Sequence, residues 1–275
     1  MNFLISLNGR MFSKYSAPQL MDILTNLDVN KVIDGAEIYM DMTNEEEKEY
    51  CLKLVKIMKD NNWIIQVHSA DMYLLEEKVI EQYLKYYNEI ALIYDNKIKL
   101  TIHPDTESSR YESIQNTIKI FKHINKYVYK NNLNLEILVE NLNELHGTYR
   151  CNIYQVYEII DKLMIDGITF DMGHYVYDYS NDYTDLGTEH ISKIRNIHIH
   201  DINEDNRTDH YPFYFNNVKI QEIIKYLNII NYKECIVLEY GLEYLEGETF
   251  EDKIDEYIKQ IEYVSRHCIN EGATI

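Results

Sequence analysis

The segment Asn196-Ile-His-Ile-His-Asp201 alternates apolar and polar residues, which is the two-residue period of a β-strand. Ile197 and Ile199 would face one side of that strand, and His198 and His200 the other. Two imidazoles and a carboxylate at one strand end are costly in a hydrophobic core unless they have partners. A hydrogen-bonded pair of core histidines would explain the segment alone, so its meaning depends on the residues that the rest of the chain brings beside it.

Short strand-like runs alternate with helical patterns along the whole chain. The strands are predicted at residues 3–7, 36–40, 63–68, 98–103, 135–140, 167–171, 196–201 and 235–239. The helices are predicted at residues 18–27, 44–59, 75–94, 109–130, 153–163, 218–230 and 250–267, with a short helix before the seventh strand. Strands that alternate with helices pair in parallel through right-handed crossovers.

Eight such units predict an α/β protein of the (β/α)8 TIM-barrel class. A doubly wound open sheet is the alternative fold, but no GxGxxG motif follows any predicted strand. The composition shows no break, and a length of 275 residues suits one α/β barrel. We therefore predict a single TIM-barrel domain over residues 1–275.

The composition is that of a globular protein, with 45% hydrophobic and 27% charged residues. No apolar run reaches the roughly 18 residues that span a bilayer. The N-terminal segment has no basic region and too short an apolar stretch for a signal peptide. These features predict a cytoplasmic protein without a membrane partner. The cysteines form no CxxC pair and are expected to be free thiols: Cys51, Cys151, Cys235 and Cys268.

The chain is strongly acidic, with a net charge of −19 and a pI of about 4.9. A field of this sign repels the phosphate backbone of nucleic acids, so a nucleic-acid partner would need a local basic patch. The same field attracts cations, including metal ions. The charge therefore favours a small-molecule partner over DNA or RNA, while a homo-oligomer remains compatible with the sequence.

Six predicted strands carry an imidazole or a carboxylate at or beside their C-terminal end: His68, His103, Glu140, Asp171, His198 and Glu239. His174 and His210 follow in the next segments of chain. The C-terminal strand ends of a TIM barrel form one rim, so these groups are expected to converge there. Carboxylates brought together repel each other unless a cation separates them. Nitrogen and oxygen ligands without cysteine suit one divalent ion, such as Mn²⁺, Mg²⁺, Co²⁺ or Zn²⁺.

The two histidines of the opening segment are predicted to differ in role. His198 is the expected metal ligand. His200 shares its face of the strand but lies two residues nearer the rim, so we expect it to support the ligands rather than bind the metal. The aromatic residues of the rim would suit a sugar, although a chain with 26 tyrosines is rich in tyrosine everywhere.

The strand-end motifs resemble those of a known family, the xylose isomerase-like TIM barrels, which includes sugar phosphate isomerases and epimerases as well as endonuclease IV. The resemblance runs over essentially the whole chain and rests on Val67-His-Ser69, Ile102-His-Pro104, Val139-Glu-Asn141, Phe170-Asp-Met-Gly-His174, Ile197-His-Ile-His-Asp201 and Leu238-Glu239.

The isomerase and epimerase branch implies one divalent metal held by Glu140, Asp171, His198 and Glu239. It also implies that Glu140 and Glu239 act as an acid–base pair on a sugar, a sugar phosphate or a keto-acid, with proton transfer through an enediolate. The metal would stabilise the charge that develops when a proton leaves the carbon beside the carbonyl. The expected substrate contacts are His68, His103, His174 and Arg207.

Two other functions stay open. The endonuclease IV branch implies a phosphodiesterase that acts at abasic DNA with up to three Zn²⁺ ions, for which His174 and His210 are additional candidate ligands. That branch separates an Asp and a His by one residue after the seventh strand, whereas Asp209 and His210 are adjacent here, so both can be placed only with a local shift. Acidic rim segments also argue against DNA. The third alternative is a TIM-barrel binding protein without catalytic activity.

Overall fold

The computed structural model of the protein describes residues 1–8, 15–41, 43–69, 71–106, 109–143, 151–163, 165–183, 186, 190–205 and 208–272. Eight parallel strands close into a barrel in which each strand pairs with its sequence neighbour and the last pairs with the first. The TIM-barrel prediction is therefore confirmed. No helix within the described residues combines the length and apolarity needed to cross a membrane.

The barrel strands lie within one or two residues of their predicted positions. In chain order, with a separate two-stranded hairpin β8–β9, the strands are β1 Asn2–Asn8, β2 Gly35–Tyr39, β3 Ile64–His68, β4 Ile98–Ile102, β5 Leu135–Glu140, β6 Gly167–Asp171, β7 Ile194–Ile199, β8 Asp201–Asn203, β9 Thr208–Tyr211 and β10 Cys235–Leu238. His103, His200 and Glu239 each follow directly after the last residue of a barrel strand.

The helices pack their apolar faces against the outside of the barrel. They are α1 Ala17–Leu27, α2 Glu45–Asp60, α3 Glu77–Tyr94, α4 Arg110–Asn131, α5 Ile153–Lys162, α6 Met172–Asp178, α7 Ile220–Ile229 and α8 Phe250–Gly272. In α2, residues at helical spacing are buried: Cys51, Leu54, Val55 and Met58. Asn44 caps this helix by accepting hydrogen bonds from the backbone N–H groups of Glu46 and Glu47, at 3.0 and 3.4 Å.

The barrel interior below the rim is polar. TIM-barrel interiors are usually filled by branched aliphatic side chains. Here the Thr101 and Thr169 hydroxyls lie 2.8 Å apart across the barrel, and Asn196 Nδ2 donates to Glu37 Oε2 at 3.0 Å. We call these four buried residues the polar layer. Such a layer costs stability unless its groups bond to one another, so its presence beneath the rim points to a role there.

The hairpin β8–β9 was not predicted, and the opening segment divides differently from its prediction. The barrel strand ends at Ile199, and Asp201 begins β8. The buried carboxylate of Asp201 accepts four backbone N–H groups at 2.8–3.0 Å, from Ile202, Phe215, Asn216 and Val218. Asp201 therefore holds the segment that follows the hairpin against the barrel.

Candidate metal centre at the barrel mouth

The C-terminal ends of the strands surround a cavity of about 630 Å³. Its walls include the ends of β2, β3 and β4, the hairpin and the segment after β10, and the residues His68, His103, His210 and Glu239 line it. The predicted convergence of imidazoles and carboxylates at the rim is therefore what the described residues show.

Four of the predicted metal ligands come together beside this cavity, and Glu239 is the one of them that lines it. One ligand atom each from Glu140, Asp171, His198 and Glu239 lies within 4.8 Å of the others. The Nδ1 atom of His198 is 3.1 Å from Glu140 Oε1 and 2.8 Å from Glu239 Oε2. Glu140, Asp171 and His198 are almost fully buried, whereas the Glu239 side chain is 20% exposed to the cavity.

The charges of this group depend on one another. Burial alone would raise the pKa of Glu140, but the imidazoles of His198, His103 and His68 hold that pKa well below its usual value. Burial would lower the pKa of His198, and the carboxylates of Glu37, Glu140 and Glu239 raise it well above its usual value instead. Carboxylates are thus ionised beside protonated imidazoles, and a cation could take the place of the imidazole proton.

His68 and His103 stand on the other side of Glu140. Their Nε2 atoms are 3.0 and 3.3 Å from Glu140 Oε2. His103 Nδ1 also contacts Asp71 at 2.9 Å, and the two carboxylates outweigh burial and raise the pKa of His103 to about 10. His68, His103 and Glu140 form a second group with metal-ligand spacing, so both histidines could contact either a substrate or a cation.

Asp171 also caps the short helix α6, besides belonging to the group of four. Its Oδ1 atom accepts the backbone N–H of His174 at 2.7 Å and so caps the first turn of α6. His174 in turn places Nε2 3.5 Å from Asp209 Oδ2. The short helix therefore fixes the spacing between Asp171 and His174.

Asp209 and His210 both reach the mouth, through a local shift in the backbone such as their adjacent positions require. Asp209 Oδ2 faces His174, and His210 Nε2 lies 3.6 Å from Glu239 Oε2. Neighbouring residues on a strand normally point to opposite sides. His210 has a φ of 60°, in the left-handed region that few residues other than glycine adopt. This local backbone turn brings both side chains to the mouth.

His200 lies behind the ligands. Its Nε2 atom is 3.2 Å from Asp171 Oδ1, and its Nδ1 atom accepts the backbone N–H of His210 at 3.1 Å. Its ring stacks on that of His210 with centroids 4.4 Å apart. His200 thus joins Asp171 to the hairpin, although it also belongs to a group with metal-ligand spacing, together with Asp171, His174 and His210.

Glu37 was not singled out from the sequence. It lies on β2 with 1% of its surface exposed, and its Oε1 atom is 2.8 Å from His198 Nε2. The sequence does set Glu37 apart, because this carboxylate interrupts the apolar run Ala36-Glu-Ile-Tyr-Met40. Strand alternation alone does not show which of the two faces of β2 points into the barrel, so the contact with His198 was not foreseen.

Arg207, a predicted substrate contact, lies outside the described residues.

The donor set fits a divalent cation. Nitrogen and oxygen atoms from imidazole and carboxylate groups suit Mn²⁺, Co²⁺ and Zn²⁺. Among the described residues, Asp171 Oδ2 and Glu239 Oε2 are buried oxygens without a hydrogen-bond partner. Buried carboxylate oxygens of this kind carry a large desolvation cost that a bound cation would offset.

Comparison with known proteins gives a family model and a set of similar structures. The model, described as xylose isomerase-like TIM barrel, matches residues 33–267. No curated protein matches the chain by sequence.

The similar structures cover nearly the whole chain. A D-psicose 3-epimerase from Clostridium cellulolyticum H10 has a TM-score of 0.68 at 11% identity, covering 96% of this chain and 99% of its own. A D-tagatose 3-epimerase-like protein has a TM-score of 0.71 at 17% identity, covering 99% and 100%. A xylose isomerase domain protein from Alicyclobacillus acidocaldarius subsp. acidocaldarius has a TM-score of 0.70 at 10% identity, covering 97% and 98%. At these identities the likeness shows the fold.

Proposed function

The chain belongs to the xylose isomerase-like TIM barrel family, and from this premise we propose that it is a divalent-metal-dependent sugar isomerase or epimerase, acting as one domain. The observation that carries the proposal is the group Glu140, Asp171, His198 and Glu239 beside the cavity, with two carboxylates near the same imidazole nitrogen. Similar structures that are named as sugar epimerases support the choice of reaction.

Glu140, Asp171, His198 and Glu239 would hold the metal, and His174 and His210 stand beside them as additional candidates. When bound, a divalent cation would act as a Lewis acid toward the carbonyl and hydroxyl oxygens of the sugar. The nearby carboxylates and imidazoles would orient the sugar through its hydroxyl groups. His68, His103 and His174 are the described residues that we propose for these contacts.

Glu140 and Glu239 are the proposed acid–base pair. They come from β5 and from the end of β10, which β6 and β7 separate in the barrel, so they can approach a bound sugar from two sides. One carboxylate would remove the proton from the carbon beside the carbonyl to give an enediolate. The other would take a proton from the imidazole beside it, His103 for Glu140 or His210 for Glu239. It would deliver this proton to the opposite face in an epimerase or to the neighbouring carbon in an isomerase. Both are held ionised, because nearby imidazoles keep the pKa of each carboxyl well below its usual value despite burial.

The cavity favours an uncharged sugar over a phosphate ester or a keto-acid. Six carboxylates line it, against three imidazoles from His68, His103 and His210: Asp41, Glu47, Asp71, Asp209, Glu239 and Glu243. Within the described part of the lining there is no Lys or Arg. Negative side chains around a cavity repel an anionic substrate.

The test is the substitution Glu239→Gln, followed by the exchange of the substrate carbon-bound proton with deuterium from solvent. Because a positioned acid or base contributes about 10²- to 10⁴-fold to such a step, exchange should fall at least by the lower of these factors while the circular dichroism spectrum stays unchanged. Glu136→Gln is a matched control, since Glu136 lies on β5 at the opposite end of the barrel and pairs with Arg195. Undiminished exchange in Glu239→Gln would exclude the proposed mechanism.

A second candidate function follows from the additional groups with metal-ligand spacing. His68–His103–Glu140 and Asp171–His174–His200–His210 flank the central four ligands, so the mouth has donors for more than one ion. Two or three bound metals per chain, together with cleavage of an abasic duplex, would favour an endonuclease IV-like phosphodiesterase. One metal per chain would favour the isomerase, and the acidic lining already disfavours DNA.

A further inference from the structure

Glu37 is a buried acid that the proposed reaction does not use. It lies in the polar layer beneath the mouth, on the side of His198 that faces away from the cavity. Its Oε2 atom accepts hydrogen bonds from Asn196 Nδ2 at 3.0 Å and Thr101 Oγ1 at 3.5 Å. The barrel interior could have held an aliphatic residue at this position, so the carboxylate needs an explanation.

Glu37 lies beside one of the two ring nitrogens of His198. Glu37 Oε1 lies 2.8 Å from His198 Nε2. Asn196 Nδ2 lies 3.2 Å from the same nitrogen. An ionised carboxylate this close to a ring nitrogen favours a proton on it, because two unprotonated acceptors repel each other. The same argument applies to the other ring nitrogen, Nδ1, which lies 3.1 and 2.8 Å from Glu140 and Glu239, so without a cation the ring carries both protons. A cation bound by Glu140 and Glu239 would replace the proton on Nδ1 and leave the one on Nε2, beside Glu37.

A histidine that binds a metal does so through an unprotonated nitrogen. Its second nitrogen usually donates to a carboxylate or a carbonyl, which fixes the ring orientation and increases the basicity of the binding nitrogen. Glu37 occupies that second position for His198. The remaining oxygen of Glu37 is held by Asn196 and Thr101, so the carboxylate itself has little freedom to turn.

We propose that Glu37 is a positioning residue that holds His198 with its proton on Nε2 and with Nδ1 directed at the metal, and thereby tightens binding of the divalent ion. This inference rests on the proposed function, because it assumes that His198 is a ligand. Glu37 itself touches neither the cavity nor the other proposed ligands of the central group, and acts through His198.

The test measures Zn²⁺ affinity and the protonation of His198 in the full-length protein. Three variants are compared with the wild type: Glu37→Gln, Glu37→Leu and Thr169→Val. The glutamine retains an oxygen that can accept the Nε2 proton but removes the charge, whereas leucine removes both. Thr169→Val is the matched control, because it removes a hydroxyl of the same polar layer that bonds to Thr101 and leaves the contact between Glu37 and His198 in place.

Loss of a partner behind a metal-binding histidine typically weakens metal binding about 10- to 100-fold. We expect the Zn²⁺ dissociation constant to rise about tenfold in Glu37→Gln and up to about 100-fold in Glu37→Leu. Thr169→Val should bind as the wild type does, even where its thermal stability falls. In the Zn²⁺-loaded protein, nitrogen-15 and proton spectra of His198 should show an Nε2–H that is hydrogen-bonded in the wild type and has lost that hydrogen bond in Glu37→Leu.

Three results would overturn the inference. Equal Zn²⁺ affinity in Glu37→Gln, Glu37→Leu and the wild type would overturn it alone, with the proposed metal site intact. An unprotonated Nε2 in the wild type would do the same. A wild-type protein that binds no divalent cation would overturn the metal-dependent function and this inference together, so the two failures are distinguishable.

Discussion

His198 and Glu239 contact each other at the barrel mouth, where His198 Nδ1 lies 2.8 Å from Glu239 Oε2. Glu140 contacts the same nitrogen at 3.1 Å. Burial works against the charge on each group, yet the attraction between them raises the pKa of His198 and lowers the pKa of Glu239. A metal ion bound by both side chains would take the place of the proton on His198 Nδ1, so proton and metal compete for this nitrogen.

Metal binding should therefore stabilise the folded protein. At a free metal concentration 100 times the dissociation constant, a ligand that binds only the folded state adds about 2.7 kcal/mol. For a chain of this length, that gain corresponds to a rise in Tm of roughly 5–10 °C. Differential scanning calorimetry with and without EDTA measures the shift, and elemental analysis of the dialysed protein counts the ions.

Asp171→Asn is the variant that ties this shift to the site. Asparagine caps a helix as well as aspartate does, so the cap of α6 on the His174 N–H should persist. The variant removes a negative ligand from the group of four and should abolish most of the metal-dependent rise in Tm. An equal metal-dependent rise in Tm in the wild type and in Asp171→Asn would mean that the stabilising ion binds at another site.

The acidic cavity predicts a preference for an unphosphorylated ketose. Its kcat/KM should exceed that of the corresponding phosphate ester by at least tenfold, which corresponds to about 1.4 kcal/mol of transition-state discrimination. Glu243→Lys reverses one charge of the lining and should raise kcat/KM for the phosphate ester. Steady-state kinetics with the ketose and with its phosphate ester measures this preference. A phosphate ester that is the better substrate of the wild type would contradict the electrostatic argument.

Asp201→Asn should destabilise the fold through the segment after the hairpin. Each carboxylate oxygen of Asp201 accepts two backbone N–H groups. In asparagine an NH2 group replaces one carboxylate oxygen, so two of the four backbone N–H groups would face a donor and lose their acceptor. Each unsatisfied N–H group costs about 1–3 kcal/mol. We expect urea unfolding to show a loss of about 2 kcal/mol or more. Asp205→Asn, at an exposed position of the same connection, should leave stability unchanged.

The barrel strands could be predicted because each is a short apolar run. The polar residue at the end of each run identified most of the residues at the barrel mouth. What could not be predicted depends on contacts across the barrel. Glu37 and His198 are 161 positions apart, and their contact follows from the curvature of the barrel rather than from either strand. The Asp209 and His210 side chains reach the mouth together because His210 has a left-handed backbone conformation. A three-residue strand such as β8 carries too little pattern to be recognised.

Gly173→Ala should destabilise the protein, although the same change in most helices stabilises it by up to about 1 kcal/mol. Gly173 lies in the first turn of α6, and a Cβ atom there would lie 2.3 Å from Cε1 of the buried His200 ring. His200 is held between Asp171 and the backbone of His210, so it cannot move without disturbing both. Overpacking of this kind costs about 1–3 kcal/mol, which urea unfolding can measure. Gly241→Ala is the control, because its Cβ would meet side chains that are not fully buried, Tyr244 at 2.8 Å and Glu243 at 3.2 Å. Equal stability of Gly173→Ala and the wild type would mean that His200 is not the rigid link between Asp171 and the hairpin that its contacts indicate.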